Sequence, residues 1–222
     1  MNVVEKGSLL FFFFLSLASF GQKKDYSIPI QILYDGKQFE SNSWLPGYNN
    51  HDSVYIERTR FYLTNIAAYS LKNKKISRII NPLLVDLDSS NQTLDFSLKK
   101  DKKFHHIGFT IGVDSSTNSQ GAFGGDLDPT NGMYWSWQSG YINFKLEGML
   151  VRNGIEESFT YHLGGYSHPF NSSFNLQFSS VDLGEKTMII ELKNLIEPGN
   201  IMQPSMEGVV KSQQVVKNIR LR

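Results

Sequence analysis

Apolar and polar positions alternate with a period of two through most of the chain, the pattern of strands with one buried face. "SIPIQILYDGKQF" puts Ile28, Ile30, Ile32 and Tyr34 on one side and then meets Asp35-Gly36, a dipeptide suited to a hairpin turn. "SVYIERTRFYLTNIAAYSL" carries Val54, Ile56, Phe61, Leu63 and Ile66 among β-branched and aromatic neighbours, and reads as one long strand or two joined by a bend. "NQTLDFSL", "KFHHIGFTIGVD", "YINFKLEGMLVR", "ESFTYHLGG", "FNLQFSS" and the terminal "VVKNIRLR" are further strands, and "RIINPLLVDLD" is a short apolar run broken by Pro82. "EKTMIIELKNLIE" is ambiguous, because its β-branched centre suits a strand as well as a helix. Nothing reads as a long amphipathic helix. About eight to ten short strands separated by turn signals predict an all-β fold, an antiparallel β-sandwich with long loops.

Two segments interrupt the alternation. Residues 41–52, "SNSWLPGYNNHD", are rich in turn formers, and residues 114–131, "DSSTNSQGAFGGDLDPTN", have no apolar period. A loop as long as the second is usually functional or mobile in a compact domain. It runs straight into "GMYWSWQSGY", residues 132–141, where Trp135 and Trp137 stand one residue apart and no charge occurs. On a continuous strand the two indoles would share a face, with Tyr134, Ser136 and Gln138 on the other.

The chain of 222 residues is 40% apolar and 19% charged, which places its body among globular proteins, and a net charge of +1 offers no basic face for nucleic acid. There is no cysteine, so disulfides, thiolate metal sites and a lipid-modified N-terminal Cys are excluded. Lys6 precedes an apolar run from Leu9 to Leu17, followed by Ala18, Ser19 and Gly21. That run is short for a bilayer span and fits a Sec-type signal peptide over residues 1–21. The expected product is one domain, residues 22–222, periplasmic or secreted in a bacterium, without stable membrane insertion.

Enzymatic constellations are missing: there is no G-x-S-x-G elbow and no phosphate-binding G-x-x-x-x-G-K-[ST]. Glu156-Glu157 reads as a solvated pair. "DLDPTNG", residues 126–132, groups oxygen donors that suit calcium but misses the EF-hand spacing. Five histidines remain: His51, His105, His106, His162 and His168. None forms a close ligand pair in sequence, yet in an exported chain without thiols imidazoles are the natural holders of copper or zinc.

"GMYWSWQSGYINFKLEG", residues 132–148, resembles the signature of the MbnP-like family, named for a periplasmic protein associated with the copper-binding peptide methanobactin. "RFYLTNI" (60–66), "FHHIGFTIGVD" (104–114) and "FTYHLGG" (159–165) resemble its other strands in order, so that the likeness covers roughly residues 26–196. The resemblance implies an exported β-sandwich with a copper link, acting in binding or trafficking rather than catalysis. In similar proteins copper is held by two histidines and a kynurenine made from a tryptophan, with a MauG-type dihaem cytochrome peroxidase as the oxidising partner. Carried over, Trp135 and Trp137 match the family's tryptophans and His162 its strand histidine. The family often has Asn-His in the loop after the "iGV" strand. Here Asn118 is followed by Ser119, which leaves His168 or His106 to supply a second imidazole. The alternative is a secreted sandwich that binds a protein or glycan partner through its loops, without metal.

Overall fold

The structure, a computed structural model, describes residues 23–39, 43–49, 52–72, 75–78, 82–86, 92–99, 104–138, 140–179 and 186–222. The signal-peptide segment 1–21, His51 and the first residues of "SNSWLPGYNNHD" lie outside these.

Two sheets enclose one apolar core. The first is built on β1 (Lys23–Tyr34), whose C-terminal half pairs antiparallel with β2 (Lys37–Gln38) and whose N-terminal half pairs with β7 (Thr93–Lys99). Asp35 (φ 54°) and Gly36 (φ 72°) make the turn, so the Asp-Gly signal acts as read. Both carboxylate oxygens of Glu191 accept the turn's N–H groups, from Asp35 at 2.8 Å and Gly36 at 3.0 Å.

The second sheet is built on β4 (Ser53–Tyr69), the long strand expected, with its register broken near Asn65. Asn65 takes a left-handed φ of 52°, which a short polar side chain tolerates. Along one edge β4 pairs with β3 (Trp44–Pro46), β6 (Leu83–Asp86) and β5 (Lys75–Arg78). Along the other it pairs with β10 (Gly140–Arg152) and then β8 (His106–Ile111). Next to β10 runs β11 (Ile155–Gly164), joined to it by Asn153-Gly154, and β12 (Phe174–Ser179) pairs with β8.

The strand directions are mixed. β13 (Met188–Glu191) runs parallel to β1, and β14 (Gly199–Ile201) parallel to β11, because the chain re-enters each sheet after a long crossover instead of a hairpin. The strands outnumber the eight to ten expected, since short pieces such as β2, β3 and β14 pair along edges. β15 (Ile219–Leu221) closes the first sheet beside β13. "EKTMIIELKNLIE" resolves into β13 and a 3-10 turn, Lys193–Leu195.

The inward residues alternate as the sequence implies. Ile28, Ile30 and Ile32 of β1 and Phe96 of β7 meet Phe61 and Leu63 of β4, Phe144 and Leu146 of β10, and Tyr161 and Leu163 of β11. One element was not expected: helix α2 (Met206–Lys217), capped by Ser205, which accepts from the N–H of Gly208, and packed through Val215 into the core.

Candidate functional site

The outer face of the second sheet carries a small second core. Tyr62 of β4 and Tyr141 and Ile142 of β10 meet Val113, Leu127, Met133 and Trp135 from the segment after β8. That segment is therefore folded against the sheet. It contains α1 (Ser115–Asn118), capped by Asp114, and two 3-10 turns, Gly125–Leu127 and Pro129–Asn131. The oxygens of "DLDPTNG" serve the backbone: Asp126 accepts from the N–H of Leu84 at 2.8 Å, and Asp128 from that of Thr130 at 2.8 Å. The turn is structural.

Cations beneath the segment hold it. Arg60 donates to the carbonyl of Asn131 at 2.9 Å while pairing with Asp86 at 2.6 Å. Lys145, buried on β10, donates to the carbonyl of Gly132 at 2.6 Å. Burial pulls the Lys145 ammonium below its ordinary range, against the neighbouring Glu147.

His162 stands in this polar stripe. It pairs across strands with Lys145, and its Nε2 lies 2.5 Å from Oε1 of Glu147. The hydrogen bond from His162 holds the Glu147 carboxyl below the usual carboxylate range; burial opposes this, and Lys145 and Arg58 assist. Glu147 is the neighbour of His162 that sequence reading missed. The available signal was faint: Lys145 and Glu147 are charged at alternate positions of residues 144–151, which are otherwise without polar side chains.

Trp135 packs further along β11. Its indole edge covers Gly164, where a Cβ would sit 2.4 Å from Cζ3. Gly164 is two residues from His162 on β11, hence on the same face. The structure thus brings His162 and Glu147 together and seats Trp135 on Gly164 of the same strand. The expectation that both indoles share one extended strand is corrected. β9 is only Tyr134–Trp135, and Trp137 sits in the turn that follows, because the chain reverses there to enter β10. Trp135 is 6% exposed and Trp137 64%. Their rings still stand 5.9 Å apart, inclined at 46°.

His168 lies exposed in the segment Ser167–Phe170, whose end residues border the same cavity as Trp135. His106 is elsewhere: it pairs with Tyr69 and stacks near its ring at 6.0 Å, whereas His162 pairs through Lys145 with Arg60. Nine positions of β4 separate Tyr69 from Arg60, roughly 25–30 Å at ~3.3 Å per residue. His106 and His162 are therefore not partners in one site. Among the described residues, no three or more His, Cys, Asp or Glu side chains converge as ligands of one metal ion.

Comparison with curated proteins gives no match. The solved structure of MbnP from Methylosinus trichosporium is similar in fold: TM-score 0.53, 14% identity, over 81% of this chain and 80% of that one. The sequence model of the MbnP family matches residues 23–211, nearly the whole of the described chain, and the protein belongs to the MbnP family.

Proposed function

We propose that this protein is an exported, non-catalytic member of the MbnP family that binds copper, with Nδ1 of His162 as its anchoring donor. One observation carries the reading: the 2.5 Å contact between Nε2 of His162 and Glu147, two residues along β11 from the Gly164 that Trp135 covers. A carboxylate on one ring nitrogen fixes the tautomer that leaves the other nitrogen as a lone-pair donor, the arrangement common behind metal-bound histidines. Imidazole nitrogen suits copper, and family membership supports copper over zinc.

His162 alone is not a complete site. His168 is the nearest remaining imidazole along the chain, and the amine of a kynurenine derived from Trp135 or Trp137 would add a further nitrogen. That conversion requires an outside oxidant, for which a MauG-type dihaem cytochrome peroxidase is the proposed partner. Export rests on the apolar leader over residues 1–21, with residues 22–222 as the single mature domain, periplasmic or secreted. No helix among the described residues is long and apolar enough to cross a membrane.

The test is a competition titration of the purified protein with Cu(I) and Cu(II), together with peptide mass spectrometry of protein from its native host. Saturable uptake that disappears in His162→Ala is expected. Uptake unchanged in that variant, or none at all in native-host protein, defeats the reading. Mass spectrometry decides separately whether Trp135 or Trp137 is converted to kynurenine.

A further inference from the structure

Two cavities adjoin on the face that carries the tryptophan hairpin. One, of about 160 Å³, is walled by Trp135, Tyr166, Phe170 and Pro204, with Gln138 and Ser167 as its polar side chains. The other, of about 320 Å³, is bordered by Trp137 and Met202, with Asn200, Gln203 and Ser205 beside them. Gln203, Pro204 and Ser205 are consecutive, and the rings of Trp135 and Trp137 bridge the two spaces. Together they make an extended groove.

Its apolar groups are large and open to solvent: Trp137 is 64% exposed, Met202 47% and Phe170 37%. Such a cluster, rimmed by polar groups, marks a binding surface. Its polar groups are of one kind. Gln138, Ser167, Asn200, Gln203 and Ser205 are amides and hydroxyls, each able to donate and accept. Glu207 is the one charged residue bordering the described groove, and no cation borders it.

Behind the smaller cavity stands Asn118. It is 1% exposed, its Oδ1 accepts from the N–H of Tyr141, and its Nδ2 has no partner. A Cβ placed on Gly140, which borders the cavity, would lie 3.5 Å from that Oδ1 and 3.6 Å from Tyr166. The missing side chain of Gly140 leaves the cavity open beside Tyr166 and Asn118.

The ligand that suits this lining is uncharged, flat-faced and edged with hydroxyls. The face of an aromatic ring carries the negative end of its quadrupole and attracts weakly positive C–H groups. A pyranose offers C–H groups on its face and hydroxyls around its rim. A phosphate or carboxylate would find no cation here. We propose that the groove binds a neutral oligosaccharide, one ring seated among Trp135, Tyr166 and Phe170 and a neighbouring ring on Trp137. These contacts require no bound metal.

An immobilised array of neutral hexose and N-acetylhexosamine oligosaccharides, probed with the purified protein in EDTA, identifies the binder. Calorimetric titration of that sugar then gives its affinity. Saturable binding is expected, weakened at least about tenfold by Trp137→Ala. Gly140→Ala should weaken it as well, because its methyl reaches only ordinary contact distances and so narrows the cavity without displacing backbone. Both variants should keep the parental circular-dichroism spectrum. No sugar bound at ~1 mM in EDTA, or binding indifferent to Trp137→Ala, would overturn the proposal. A proline-rich peptide that competes for the groove while no sugar binds overturns it in favour of a protein partner.

Discussion

Gly164 shows how one missing methyl shapes the site. A Cβ there would meet Cζ3 of Trp135 at 2.4 Å and the carbonyl of Tyr141 at 2.7 Å, and the carbonyl belongs to backbone that cannot yield cheaply. Gly164→Ala should therefore lift the indole off β11 and cost about 1–3 kcal/mol, as overpacking does. A red-shifted tryptophan emission and a lowered melting temperature would show it; an unchanged spectrum would mean the ring does not rest on Gly164. Glu147 makes a second residue-scale case. Its folded-state pKa lies below the ordinary 4.5, first through the hydrogen bond from His162. A depressed carboxyl gives stability that is present above the unfolded value and lost as pH falls through the folded one. The melting temperature of the parent should accordingly drop more steeply between about pH 5 and about pH 3 than that of Glu147→Gln. Parallel curves would deny Glu147 this role. His162 was legible as a strand histidine in "FTYHLGG", whereas Glu147 was not. Alternation assigns a residue to a face, but only the register of β10 against β11 says which side chain on that face it meets.

Among elements, the strands were the legible part and α2 the illegible one, for a physical reason. The buried stripe of α2 is Gly208, Lys211, Ser212 and Val215, which has helical spacing but almost no hydrophobic signal. Lys211 lies there because its ammonium reaches Glu197 at 2.5 Å and sits 4.5 Å from the ring centre of Tyr161. The valines meanwhile read as strand residues. The segment from Asp114 to Asn131 misled in the opposite sense. It lacks period because short turns, not strands, bring Leu127 and Met133 to the sheet. Arg60 and Lys145 clamp its end through the carbonyls of Asn131 and Gly132. In the double variant Arg60→Leu/Lys145→Met, the amides of Asp128, Asn131 and Gly132, bonded within the segment, should exchange hydrogen at least about tenfold faster, the effect of ~1.5 kcal/mol of lost charge-assisted bonding. The amides of β1 and β13 should be little changed. Uniform acceleration across both sheets would show instead that the segment and the sandwich open as one unit.

At the scale of the molecule, a two-sheet fold follows from alternation, but the place of each strand does not. Nothing in "KFHHIGFTIGVD" or "FTYHLGG" says that the strands they form pair with or lie beside opposite ends of β4. That arrangement decides which histidines can act together. His106 is level with Tyr69 and His162 with Arg60, roughly 25–30 Å apart along the strand, whereas two donors on one copper lie within ~4 Å. Rotamer changes span a few ångströms and leave this gap open, and bringing the two ends of β4 together would break both sheet registers. The two histidines should therefore differ sharply as variants. His162→Ala should abolish the copper uptake proposed above, and Glu147→Gln should weaken it about 10–100-fold by removing the carboxylate that orients the imidazole. His106→Ala should leave the affinity within about twofold of the parent, a change of ~0.4 kcal/mol, because its ring stacks near Tyr69 at the far end of the sheet from His162. A competition titration of the three variants under one buffer separates them. Losses of equal size in His106→Ala and His162→Ala would place the metal between molecules, where histidines from two copies could meet, and the site around Trp135 would then have to be given up.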